Sequence, residues 1–402
     1  MDELELLATA RPVDPPSAET VGDARRRLTR QIYAKPVSRW RPRILLPVAA
    51  GAFAISTGLV LGAHVLSPAP PATPGAISSQ DAGALQPDNR PAKVLLLTAA
   101  EHTLTQPDPG KGAFWASTSE EGQLLQVGKT GNRYAIMGAT TETRWTPAAA
   151  DYLVLDSRWA GGHPASAADV AAWKKAGSPS SWPMDPVSGC PVDPDDVYTA
   201  KAAKTGRAVK QAGPPAGFQV LGESLTAGQV RALPSDPAAL KKWLIGVIEK
   251  QSLPHGTDVE LGESLFDGVL NLLFDNPITP QVRSATYGVL AGLPGVTSQG
   301  AVKDAEGRRG VAVTVTRNDT APEQKADSGG PMQVSLVFDP DSGKTLAMET
   351  RAMAPADYLA WVPKGALFGY RALESARWTD DKPPAAVETR GPAVNVLRPG
   401  QC

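Results

Sequence analysis

The chain has 402 residues, 42% of them hydrophobic and 20% charged, with a formal net charge of −1. That length is enough for one or two domains with cores of their own, and the balanced charge gives no global attraction to nucleic acid or to an acidic substrate. Its 38 Pro and 38 Gly predict many loop-like connections.

Residues 1–43 read as a short basic tail. Val21, Ala24, Leu28 and Ile32 fall three or four apart and would form one narrow apolar helix face, with Arg25, Arg26, Arg27 and Arg30 on its flanks. Lys35, Arg39, Arg41 and Arg43 then crowd the edge of an uncharged segment, Ile44 to Leu66. At about 1.5 Å per residue this segment is long enough to cross the roughly 30 Å hydrocarbon core of a bilayer. The excess of Lys and Arg before it would keep the tail cytoplasmic and place the C-terminal part outside the cell. The sequence therefore predicts a single-pass protein of the cell membrane. Within the span, Ala54, Gly58 and Gly62 recur every four residues, a small-residue stripe that would let two helices pair as a homodimer. Residues 67–90 are rich in Pro, Ala and Ser and read as a stalk.

From residue 91 to 402 the pattern predicts one extracytoplasmic domain. Lys93 to Leu104 reads as a helix, followed by short extended runs at 113–116, 123–127, 133–137 and 152–155 between Gly, Pro and Ser clusters. Residues 160–217 read as a long irregular excursion. Ser235-Asp236-Pro237 offers a cap and a first-turn proline for a helix from Ala238 to Lys250. Ser264 to Phe274 and Pro280 to Leu290 read as two more helices. Strands resume at Gly310 to Thr316, and Met332 to Phe338 with Thr345 to Arg351 flank a turn as a hairpin. Strands, then helices, then strands predict an α+β fold, a curved antiparallel sheet packed with a central group of helices behind the membrane span.

The chemistry-bearing residues form few patterns. Asp327-Ser328-Gly329-Gly330-Pro331 looks like the nucleophile segment of trypsin-like serine proteases, and Leu97 to His102 like their histidine segment. Glu101 displaces His102 from that pattern, and Ala326 replaces a glycine that helps shape the oxyanion hole, so no catalytic residue is expected. His64, His102, His163 and His255 are scattered singly, and Asp193, Asp195 and Asp196 lack the spacing of a calcium loop, so no metal or cofactor is expected. Leu-Gly-Glu-Ser-Leu occurs at both 221–225 and 261–265 but is too short to establish a repeat. The membrane topology would put Cys190 and Cys402, the only cysteines, together in an oxidising space, which predicts a disulfide between them.

Several short segments also carry a family resemblance: Met1 to Leu7, Leu233-Pro234-Ser235-Asp236-Pro237, Leu293-Pro294-Gly295-Val296, Glu306 to Ala312, and Val337 to Gly343. In this order they resemble a group of uncharacterised actinobacterial membrane-anchored proteins often encoded beside extracytoplasmic-function sigma factors. That resemblance implies a regulatory context and supplies no catalytic residues. The arginine cluster from Arg25 to Arg43 thus has three readings: a topogenic signal that also attracts membrane lipid, a docking site for a sigma factor, or contact with nucleic acid, the last the least favoured. Two functions stay open, both non-enzymatic. One is an envelope sensor or sigma-factor-associated regulator with an outer ligand-binding domain. The other is a structural or carrier protein without signalling, and a trypsin-like hydrolase stands a distant third.

Overall fold

In the computed structural model, the residues described are 88–149, 152–183, 197–212, 217–317, 329–356 and 359–390. Two long strands open the fold: β1 (Phe114–Lys129) and β2 (Asn132–Pro147) pair along their whole length through a tight turn at Thr130-Gly131. Gly131 has φ +85°, a left-handed conformation that glycine adopts without a Cβ clash. β3 (Tyr152–Pro164) and β6 (Arg207–Ala212) extend the sheet on one side of β2. On the other side β1 pairs with β13 (Leu367–Thr379), which leads to β12 (Thr345–Ala352), β11 (Met332–Phe338), β10 (Arg309–Arg317) and β9 (Thr297–Lys303). The tenth strand, β14 (Glu388–Arg390), lies parallel to β6 and is the one departure from antiparallel pairing in this sheet.

Six helices accompany the sheet among the described residues: α1 (Ala92–Thr103), α2 (Ala167–Lys175), α3 (Ala227–Arg231), α4 (Pro237–Lys250), α5 (Asp258–Asp275) and α6 (Pro280–Ala291). Their starts follow from capping. Asp236 accepts from Ala239 N before the first-turn Pro237, and Thr257 and Glu260 form a reciprocal capping box at α5. Leu240, Leu244, Leu265, Phe266, Leu270, Tyr287 and Leu290 from the helices pack with Val313, Leu336, Phe338 and Met348 of the sheet into the main core. Tyr287 is fully buried, and its hydroxyl donates to Gly343 O at 2.8 Å, pinning α6 to the β11–β12 turn.

The expected class is corrected on two counts. One large sheet dominates the described chain, and the helices are few beside it. Runs read from the sequence as separate short strands fuse, because the Ser, Thr and Gly residues between them, such as Ser117 to Ser119 and Gly138, lie inside continuous ladders. The second correction concerns the membrane. No helix among the described residues is long and apolar enough to cross one, so the single-pass architecture and the cell-membrane placement with an outer C-terminal domain find no support. The longest described helix, α5, is amphipathic and carries Asp258, Glu260, Glu263, Asp267 and Asp275. Ile44 to Leu66, with Ala54, Gly58 and Gly62, lies outside the described residues, as do the basic tail and the bulk of the stalk. The excursion at 160–217 is partly regular. It contains the end of β3, then α2, the small pair β4 (Ser181–Pro183) and β5 (Val197–Thr199), and β6.

Candidate functional site

Alternate residues of a strand share a face, so Trp115, Ser117, Ser119 and Glu121 of β1 point to one side of the sheet. The register sets Ser117 opposite Arg144 of β2, Ser119 opposite Glu142, and Glu121 opposite Arg371 of β13. Two apolar clusters flank this group on the same face. Beyond Trp115 lies the core shared with the helices. Toward the far end, Leu125, Val127, Ile136, Trp159, Trp182 and Tyr198 form a second cluster beneath α2 and the β4–β5 pair. Trp182 Nε1 donates to Tyr134 Oη at 2.7 Å and Trp159 Nε1 to Thr199 O at 2.8 Å, which fixes that second cover. A polar belt therefore crosses the sheet between two apolar ends.

The helical layer adds one more charge to the belt, Asp275, the last residue of α5. A carboxylate at a helix C-terminus meets the negative end of the dipole, so it needs compensation from elsewhere. Arg371 Nη2 supplies it at 3.0 Å from Asp275 Oδ1, while Arg371 Nε donates to Ser119 Oγ at 2.9 Å and lies 3.5 Å from Glu121 Oε1. The guanidinium also sits 5.0 Å from the centre of the Phe274 ring. Arg371, Asp275 and Arg144 have side chains only 3%, 6% and 10% exposed.

Burial pushes all three acids upward. The Glu121 carboxyl is held well above the usual carboxylate range by burial and then by the nearby Glu142, with Arg371 opposing. Its side chain is a third exposed, yet Oε1 reaches no solvent and has no hydrogen-bond partner. Glu142 is raised by burial and pulled back by the hydroxyl of Ser157, which donates at 2.9 Å, and by Arg371 and Arg144. Asp275 is raised by burial against the pull of both arginines. A mixed cluster of this kind costs desolvation free energy that simple apolar packing would avoid, which marks it as a site candidate.

The opposite face carries a second ionisable group. Tyr370 Oη donates to Glu120 Oε1 at 2.6 Å, and Glu306, in the β9–β10 turn, shares a hydrogen bond with Glu120. Burial first, and then Glu120, push the Glu306 carboxyl up to about 7. Arg308 holds that turn down: it donates to Asp304 Oδ2, Leu373 O and Leu346 O, each at 2.7 Å. Ala312, Ala347 and Ala372 pack with Val337 and Leu346 into a small apolar cluster that Tyr370 partly covers.

Among the described residues, those singled out in the sequence are not gathered into either group. His102 lies on α1 with Nδ1 2.8 Å from Pro340 O; Asp327 and Ser328 fall outside the described residues, so no triad can be built from them. His163 Nδ1 faces Pro164 O at 3.1 Å and His255 Nδ1 faces Leu253 O at 2.5 Å. Among the described residues no group of three His, Cys, Asp or Glu is placed to hold a metal ion. Cys190, Cys402, Asp193, Asp195 and Asp196 lie outside the described residues. The belt forms no motif in the sequence, because its members come from positions 117–121, 142–144, 275 and 371. A charged residue inside a strand otherwise patterned for burial, such as Arg144 between Thr143 and Trp145, was the available hint. Scans against protein-family models, curated proteins and solved structures found no match to this chain.

Proposed function

We propose that this chain is a non-enzymatic binding protein that takes a small ligand on the charged belt of its sheet. The observation that carries the reading is the set of oppositely charged side chains, the buried Arg144, Asp275 and Arg371 with the half-buried Glu121 and Glu142, held between two apolar clusters. Such a set recognises polar groups on a ligand whose remainder is apolar. Hydrolysis has less support: the belt hydroxyls of Ser119 and Ser157 are engaged by Arg371 and Glu142, and neither bonds a histidine. The family resemblance favours a regulatory use of the bound state, with a sigma factor meeting residues 1–43, over a plain carrier role.

Native mass spectrometry of the full chain, incubated with a small-molecule extract of cell lysate, tests the binding reading. A stoichiometric adduct, lost in Arg371→Met, is the expected result. A wild-type protein that stays folded and retains no adduct would overturn it. Co-purification of a sigma factor with the full chain, abolished by deleting residues 1–43, distinguishes regulator from carrier.

A further inference from the structure

Hydrogen-bond donors outnumber acceptors at the inner end of the belt. Arg144 is nearly buried, and its one ion-pair contact among the described residues is Asp275 Oδ1 at 3.9 Å, too long for a hydrogen bond. That oxygen already accepts from Arg371 Nη2 at 3.0 Å. A guanidinium brings five N–H donors and no acceptor, so a buried one left this way has strong unused capacity. Directly opposite on β1 is Ser117, fully buried, with a hydroxyl that has no partner. One step further along the same face, the Nε1 atoms of Trp115 and its cross-strand neighbour Trp378 are also buried without partners, their rings 5.6 Å apart. Buried polar groups are nearly always paired, and three unpartnered groups beside the Arg144 guanidinium call for one acceptor-rich occupant.

We propose that this strip binds the carboxylate of a small organic monoacid, its oxygens held between the Arg144 guanidinium and the Ser117 hydroxyl and its apolar body directed toward Trp115 and Trp378. The assignment rests on the binding reading above and names the ligand's class. A planar carboxylate matches the fork of a guanidinium with two parallel bonds. One negative charge matches Arg144, the belt arginine with no carboxylate within hydrogen-bond distance. A dianion would face Asp275, Glu121 and Glu142 with a charge that Arg144 alone does not offset. Ala376, the other cross-strand neighbour of Ser117, presents no side chain that competes for its hydroxyl.

Isothermal titration of the full chain with hexanoate, inorganic phosphate and hexylamine tests the proposal. Hexanoate is expected to bind, with phosphate and hexylamine each weaker by about tenfold or more. Arg144→Gln is expected to weaken hexanoate by about tenfold or more and Ser117→Ala by about threefold to tenfold, in line with the loss of charged and neutral hydrogen bonds. Should Arg144→Gln fail to fold, the ranking of the three probes on wild type and the Ser117→Ala result decide. Absence of hexanoate binding to folded wild type, tighter binding of phosphate or hexylamine, or unchanged affinity in Ser117→Ala would overturn it. A neutral or cationic adduct in the lysate experiment would also overturn the carboxylate assignment, while leaving the binding function in place.

Discussion

The ring of Tyr370 on β13 lies across Gly122, its cross-strand partner on β1, so closely that a Cβ at Gly122 would come within 1.9 Å of the ring's Cε1. Glycine is thus required by its neighbour, and its φ plays no part. Gly122→Ala should push the ring aside, lengthen the Tyr370–Glu120 hydrogen bond and destabilise the fold by about 1–3 kcal/mol, as overpacking does. Urea denaturation measures this, and a midpoint equal to that of wild type would refute the packing argument.

Glu306 predicts a pH dependence with a definite sign. Its folded value, about 7, lies above its ordinary 4.5, so the folded state holds the proton more tightly than the unfolded one. The stabilisation is complete below 4.5 and is lost as pH rises toward 7. Urea midpoints of wild type should therefore fall relative to those of Glu306→Gln across that interval. Parallel profiles would refute the raised value of Glu306. Comparing the two proteins at each pH separates Glu306 from Glu121 and Glu142, which are raised as well.

Arg371 offers the largest single effect. Replacing it with Met leaves Asp275 buried at the end of α5 with only the distant Arg144, and should cost about 3–5 kcal/mol. Adding Asp275→Leu to Arg371→Met removes the stranded charge and should recover most of that loss. If the double variant is no more stable than the single one, the two residues are not coupled.

Local signals are legible where local physics decides the outcome. Asp236-Pro237 starts α4, and the Asp339 to Gly343 turn joins β11 to β12, because a cap or a turn needs only neighbouring residues. The identical Leu-Gly-Glu-Ser-Leu segments show the limit. At 221–225 the sequence forms the turn between β7 (Phe218–Val220) and β8 (Glu223–Leu225) together with β8 itself, and at 261–265 it lies within α5. Leu221 adopts φ 53° there, held by a hydrogen bond from its N–H to Asn271 Oδ1, a partner fifty residues away. The belt was illegible for the same reason. Glu120 and Glu121 look like one solvated acidic pair, but strand alternation sends them to opposite faces and into two unrelated clusters.

The capping box at α5 supports a smaller prediction. Thr257 Oγ1 accepts from Glu260 N at 3.2 Å while Glu260 Oε2 accepts from Thr257 N at 3.0 Å. Thr257→Ala should lower stability by about 1 kcal/mol without altering ligand binding at the belt, whereas a binding loss would mean that α5 shifts as a body. Thermal melts and hexanoate titration of the same variant check both halves.

The pairing of β1 with β13 has a kinetic consequence. These strands are neighbours in the sheet, but Trp115 and its partner Trp378 stand at opposite ends of the described chain. Contacts so distant in sequence make a chain slow to fold, because the long loop must close before the pairing stabilises anything. During synthesis β1 and β12 would both wait as open edges until β13 emerges to fill the gap between them. A chain that ends before Leu367 would keep both edges exposed, and unpaired edges recruit other copies, so aggregation is its expected fate.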